Sequence, residues 1–209
     1  MRARQFDKIA RLSVGAPHPI LMVDPAGRPV EWVSWRDAVL HYVLDQVAWT
    51  VGDPSIRVRG GMNARGLQSE LLLHPVIAIA GADGGRYDGY TPPLSNAALF
   101  ARDRRVCLYC GERFHSNLLS RDHVVPLSHG GPDCWENVAT ACRSCNQKKD
   151  ARTPEQASMP LLAVPYVPSH AESLIMANRR ILADQMAFLE TRVPRRRREH
   201  GVASAGNLA

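Results

Sequence analysis

No run in this chain comes near the roughly 20 consecutive apolar residues that a bilayer-spanning helix needs. Its first fifteen residues, MRARQFDKIARLSVG, have no apolar stretch of the kind that directs secretion. Membrane-spanning and exported classes are therefore set aside, and a cytoplasmic location is expected. Internal repeats are absent. Lysine is scarce, with 3 against 23 arginines. That bias suits bidentate phosphate binding by guanidinium, and it also follows from a GC-rich coding sequence. Apolar residues are not scarce: they make up 45% of the chain against 22% charged, which excludes wholesale disorder. The 209 residues suffice for one domain with a substantial core or for two small ones.

The net charge of +6 and the pI near 9.4 point towards a polyanionic partner. The excess gathers late: residues 170–209 carry 7 basic side chains against 4 acidic ones, including the run Arg195–Arg198. Such a run is either a solvated tail or a phosphate contact.

Five cysteines are present, and four of them fall into two pairs. Cys107-x-x-Cys110 and Cys142-x-x-Cys145 are separated by 31 residues, and Cys134 is left over. In a reducing compartment two such pairs read as a metal site before they read as disulfides. Each CxxC turn offers two thiolates from one side, and two turns close a tetrahedral shell around zinc. A closed shell does no chemistry; it supplies folding energy to a segment too short to build its own core. Cys134, between polar neighbours, reads as a partly buried free thiol.

The stretch ILMVDPAGRPVEWV predicts two strands joined by a turn at Asp24-Pro25-Ala26-Gly27. A helix follows with Ser34 as its cap and Val39, Leu40, Val43, Leu44 and Val47 at helical spacing. Strands are expected over Val51 to Arg59 and over Leu71 to Ala80. From Ala97 a short basic helix runs into the first knuckle. DHVVP is expected as a strand, CWENVATAC as a turn or helix start, and CRSCNQKKDARTP as a helix to about Thr153-Pro154. PLLAVPYVPSH reads as an extended linker. Residues 171–192 read as one amphipathic helix with Ile175, Leu182, Met186 and Leu189 on one face. That face either packs on the protein's own core or forms a homodimer interface.

Asp122 and His123 stand side by side on the short DHVVP run. A phosphodiester resists attack because its charge repels nucleophiles and its alkoxide leaves poorly. A base that deprotonates water and a hard cation on the phosphate overcome both obstacles. Asp122 offers an oxygen of the kind magnesium prefers, and Asn146, fixed by the adjoining Cys145, offers another. Adjacent strand residues point to opposite faces, so Asp122 and His123 can approach a phosphate differently.

These residues lie in the text CLYCGERF…RDHVVPLSHGGPDCWENVATACRSCNQKKDARTP, which resembles the HNH endonuclease family in its four-cysteine form. The resemblance covers about residues 97–155. It implies that His123 is the general base, that Asp122 and Asn146 bind a catalytic Mg²⁺ or Mn²⁺, and that Asn137 orders the loop and helps hold the base. The third signature letter is Asn here where the family also uses His. The cysteines Cys107, Cys110, Cys142 and Cys145 would hold a structural zinc. Arg121, His129, Arg143, Lys148 and Lys149 are candidate DNA contacts. More loosely, ILMVDPAGRPVEWVSWRDAV looks like the N-terminal region of a bacterial HNH subgroup.

The expected architecture is α+β. A ββα-metal, treble-clef-like nuclease domain over residues 96–158 is preceded by a small α+β region, 1–95. A linker, helix and basic tail follow over 159–209. The expected activity is metal-dependent hydrolysis of DNA that leaves 5′-phosphate and 3′-hydroxyl ends.

Overall fold

A computed structural model describes residues 18–178 and 180–194. The Arg195–Arg198 run lies outside the described residues. The chain forms two compact units, one running to Asp88 and resuming at Asn178, the other Gly89–Ala177. The sequence expectation put boundaries after residues 95 and 158 instead. No described helix is long and apolar enough to cross a membrane.

The first unit is built on a four-stranded mixed sheet of β1 (Ile20–Val23), β2 (Pro29–Val33), β3 (Val47–Val51) and β6 (Val76–Ile79), in the order β2-β1-β6-β3. β1 (Ile20–Val23) and β6 (Val76–Ile79) pair in parallel, and all eight of their residues are buried. A central strand covered on both faces has no use for alternation, hence the unbroken apolar runs ILMV and VIAI. β2 (Pro29–Val33) returns antiparallel to β1 through the Asp24–Gly27 turn. The buried Asp24 carboxylate accepts from Arg28 N at 2.8 Å and from Gly84 N at 3.1 Å, so the turn is tied to a distant loop.

Ser34 caps α1 (Trp35–Val43) by accepting from Asp37 N. Trp35, Ala38 and Val39 form its buried face. The helical spacing expected to reach Val47 stops earlier. Asp45 takes a left-handed φ of 55°, Leu40, Val43 and Leu44 are exposed, and Val47 opens β3 (Val47–Val51). The expected strand from Val51 to Arg59 is likewise two elements. Gly52, at φ 82°, ends β3, and β4 (Ile56–Met62) then pairs antiparallel with β5 (Gln68–Leu73). Pro75 cannot donate to a ladder and separates β5 from β6.

The expected single helix over 171–192 is two: α4 (His170–Ala177) in the second unit and α5 (Ala183–Glu190) in the first. The stripe from Ile175 to Leu189 is therefore divided between two helices, one in each unit. α5 is fixed by the fully buried Gln185, whose Nε2 donates to the carbonyls of Pro19 and Pro75, each at 2.8 Å.

The second unit holds the two-stranded sheet of β7 (Leu119–His123) and β8 (Val138–Cys142), flanked by α2 (Asn96–Arg102), α3 (Arg143–Lys149) and α4. VATAC, expected as a turn or helix start, is β8, with all five residues buried. Its partner register runs from Leu119 opposite Cys142 to His123 opposite Val138. Leu99, Phe100, Leu119, Trp135 and Val138 make a small core. PLLAVPYVPSH is extended as expected, yet it is held to this unit: Leu162 N donates to Leu108 O at 2.9 Å and Val167 packs on the core.

A buried arginine organises this core. Arg102, with no exposed side-chain surface, donates to the carbonyls of Trp135, Tyr166 and Val138 at 2.7–3.0 Å. It also pairs with Asp103 at 2.8 Å, whose carboxylate receives Thr140 N. Removing one member of such a set leaves the others buried and unmatched. Arg102→Met is expected to cost the unit about 3–5 kcal/mol, read from the shift of its denaturant midpoint at unchanged slope.

Candidate active site

The two cysteine pairs converge. In the first, Cys107 N donates to Glu112 O and Gly111 N to Cys107 O, closing a tight turn that Gly111 completes at φ 78°. In the second, Cys142 ends β8 and is also the cap of α3, its Sγ facing Cys145 N. The sulfurs of Cys107, Cys110, Cys142 and Cys145 all lie within 4.8 Å of one another, an arrangement that can hold a metal ion. Cys134 stands apart from this group, half-buried.

β7 ends at His123, three residues sooner than DHVVP suggested. Val124 N donates to Asn137 O, and the Asn137 side chain then takes over the chain. Its Oδ1 accepts from Val125 N, and its Nδ2 donates to the carbonyls of Val125 and Pro132. The Gly-Gly that follows has a packing reason. A Cβ on Gly131 would stand 1.9 Å from Val125 O and 2.7 Å from its carbonyl carbon, both backbone atoms that cannot yield. The loop is thus pressed flat against the end of β7. Asn137 itself makes no hydrogen bond to His123; its effect on that ring passes through the loop.

Asp122 and His123 project differently, as alternation requires. Asp122 is 4% exposed. The Tyr109 hydroxyl donates to its Oδ2, and Lys149 Nζ lies 3.0 Å from its Oδ1. Burial, and then the bond to Asp122 and its charge, push the Tyr109 phenol well above its ordinary value, so it remains a donor. Lys149 also donates to His123 O at 2.8 Å and has no exposed surface. The sequence expectation set Lys148 and Lys149 together on the DNA backbone. The structure exposes Lys148 and buries Lys149 as the counter-charge of Asp122. Lys149→Met leaves that carboxylate buried with a single phenolic donor. The second unit is expected to lose about 3–5 kcal/mol at neutral pH, measured by denaturant unfolding.

Asn146, on α3, donates from Nδ2 to Ser120 Oγ at 2.8 Å and, more weakly, to Arg121 O at 3.4 Å. The orientation of this amide follows from the partners. The carbonyl can only accept, and the one hydroxyl proton of Ser120 is given to Ala141 O. The Oδ1 of Asn146 is the half left for another ligand.

Arg121, Asp122, His123, Asn146 and Lys149, with Pro126, Leu127, Ser128 and Asp150, line one cleft of about 250 Å³. Three residues expected to do chemistry therefore share one concavity. Among the expected DNA contacts, Arg143, Lys148 and His129 are exposed. Arg121 is otherwise engaged: its Nη1 sits 2.8 Å from each oxygen of Asp133, and its Nε donates to Asn96. His123 Nε2 in turn lies 2.9 Å from Asp133 Oδ1. Asp133, Tyr109 and Ser120 were not marked by the sequence. They lie outside the spaced pattern, and only the loop path and strand pairing bring them to it.

No curated protein matches the chain. A family model does match, over the stretch that makes both knuckles, the β7–β8 hairpin, α3 and the cleft: residues 107–162 match the model of the HNH endonuclease family.

Proposed function

We propose that residues 96–158 form a ββα-metal nuclease domain that hydrolyses DNA phosphodiester bonds, leaving 5′-phosphate and 3′-hydroxyl ends. Residues 1–95 and 159–209 would be flanking regions that set any target preference. One observation carries this reading: the cleft shared by Asp122, His123 and Asn146. The order β7–β8–α3, with cysteine pairs before the hairpin and at the start of the helix, supports the domain type.

The four sulfurs suit zinc, a borderline-soft ion that accepts tetrathiolate shells, and such a shell leaves no place for substrate. The cleft suits a harder ion. Asp122 has a carboxylate with a free lone pair on each oxygen after its two donors are counted, and Asn146 has a free amide oxygen. Mg²⁺ or Mn²⁺ bound there would neutralise charge on the phosphate and on the departing 3′-oxygen. His123, at the cleft wall, takes the proton from the attacking water. Lys149 pairs with Asp122 at 3.0 Å and fixes it in the interior. Exposed Arg143, Lys148 and His129 would contact the DNA backbone, an affinity that weakens as salt rises.

Incubation of the full chain with supercoiled plasmid and Mg²⁺ or Mn²⁺, with ends mapped by sequencing, tests the reading. Nicked or linear product bearing 5′-phosphates is expected, and none when the ion is chelated. Retention of plasmid without any cut, under either ion, would instead describe a zinc-knuckle binding module.

A further inference from the structure

We propose that Asp133 is the positioning residue of His123: it holds the proton on Nε2 and so leaves Nδ1 as the basic nitrogen. The proposal rests on the reading of His123 as base.

Four contacts build the device. His123 Nε2 lies 2.9 Å from Asp133 Oδ1. Arg121 Nη1 lies 2.8 Å from both oxygens of the same carboxylate. Arg121 is itself steadied by Asn96 through its Nε. The backbone next to Asp133 is fastened by Asn137, which binds Pro132 O and Val125, and by Gly131, pressed on Val125. Asp133 is half exposed, with 51% of its side-chain surface open. It stays in place through these ties rather than through burial.

The chemistry follows from donor and acceptor counts. Arg121, and after it His123, hold the Asp133 carboxyl below its usual range, so it is an ionised acceptor with no proton to give. A ring nitrogen facing it must carry hydrogen. In a neutral imidazole the lone pair then sits on the other nitrogen, Nδ1. One tautomer is selected before substrate arrives, as carboxylates do for metal-bound and triad histidines. The arrangement also gives Asn137 its route to the base: amide to loop, loop to carboxylate, carboxylate to ring.

Asp133→Ala tests this. It removes the acceptor facing Nε2, so the ring proton is no longer held there. Long-range ¹H–¹⁵N spectra of the histidine rings in the full chain, at a pH where they are neutral, should show wild-type His123 with the proton on Nε2. In Asp133→Ala the two forms should mix. On plasmid with Mn²⁺, kcat of Asp133→Ala should fall by about 10-fold or more with KM little changed. Asp133→Asn, whose amide oxygen can still accept from Nε2, and Asp133→Glu should recover part of the loss. Zinc content and unfolding midpoint should match wild type. An Nδ1-protonated wild type, or an unchanged tautomer and rate in Asp133→Ala, would overturn the proposal while leaving His123 as base. If wild type itself cuts nothing, that earlier reading falls, and the spectra still decide whether Asp133 sets the tautomer.

Discussion

Cys142→Ser is expected to abolish the fold of residues 89–177 and the metal content of the chain together. Cys142 closes β8 opposite Leu119, caps α3 and contributes one of four clustered sulfurs. Nothing else in the unit replaces it. Its core is a handful of buried side chains, and α3 has seven residues, fewer than a helix needs to stand alone. Structural zinc contributes about 10–16 kcal/mol in small finger domains. A whole domain is typically stable by only about 5–15 kcal/mol. Weakening the tetrathiolate site therefore exceeds any margin the core supplies. Metal analysis should give one zinc per chain for wild type and none for the variant. The amide signals of 89–177 should collapse to the unfolded range, while the sheet built on β1 and β6 keeps its dispersion. A strong chelator should reproduce the effect. A variant that kept a folded second unit would show that the cysteines are merely free thiols.

What the sequence made legible was local. The CxxC spacing named all four sulfurs, the Asp24–Gly27 turn and the Ser34 cap were marked by residue type, and the D-H and C-N positions marked three walls of one cleft. What it hid depends on the third dimension. VATAC carries two alanines and suggested a helix start, but pairing with β7 and burial of every residue made it a strand. The stripe from Ile175 to Leu189 has helical spacing, yet its residues divide between two units. Lys149 follows an exposed lysine on a short helix, and no local rule says that it turns inward to Asp122. Asp133 sits in a Gly-Gly-Pro loop where an acidic residue is unremarkable; the fold of that loop alone carries it to His123.

The second large effect concerns His123. Its neighbours are structurally committed: Asp122 belongs to a buried ion pair, and Arg121 to the clamp on Asp133. Changing either confuses chemistry with folding. The His123 ring is different. It lies at the wall of the cleft, with 19% of its side chain exposed, and its hydrogen bond goes to a half-exposed carboxylate. Truncating it removes the proposed base without leaving a buried charge unmatched, so stability and zinc content should stay near wild type. General-base contributions are about 10²–10⁴-fold, which sets the size of the loss. DNA affinity should be unchanged, since exposed Arg143 and Lys148 are untouched.

The most direct measurement is therefore the single-turnover rate of plasmid cleavage by His123→Ala beside wild type, in the same divalent ion and with zinc occupancy checked in both. The account predicts a fall of about 10²–10⁴-fold in rate with retained binding. A variant that cuts as fast as wild type would remove His123 from the chemistry and, with it, the cleft as the place where the phosphodiester is broken.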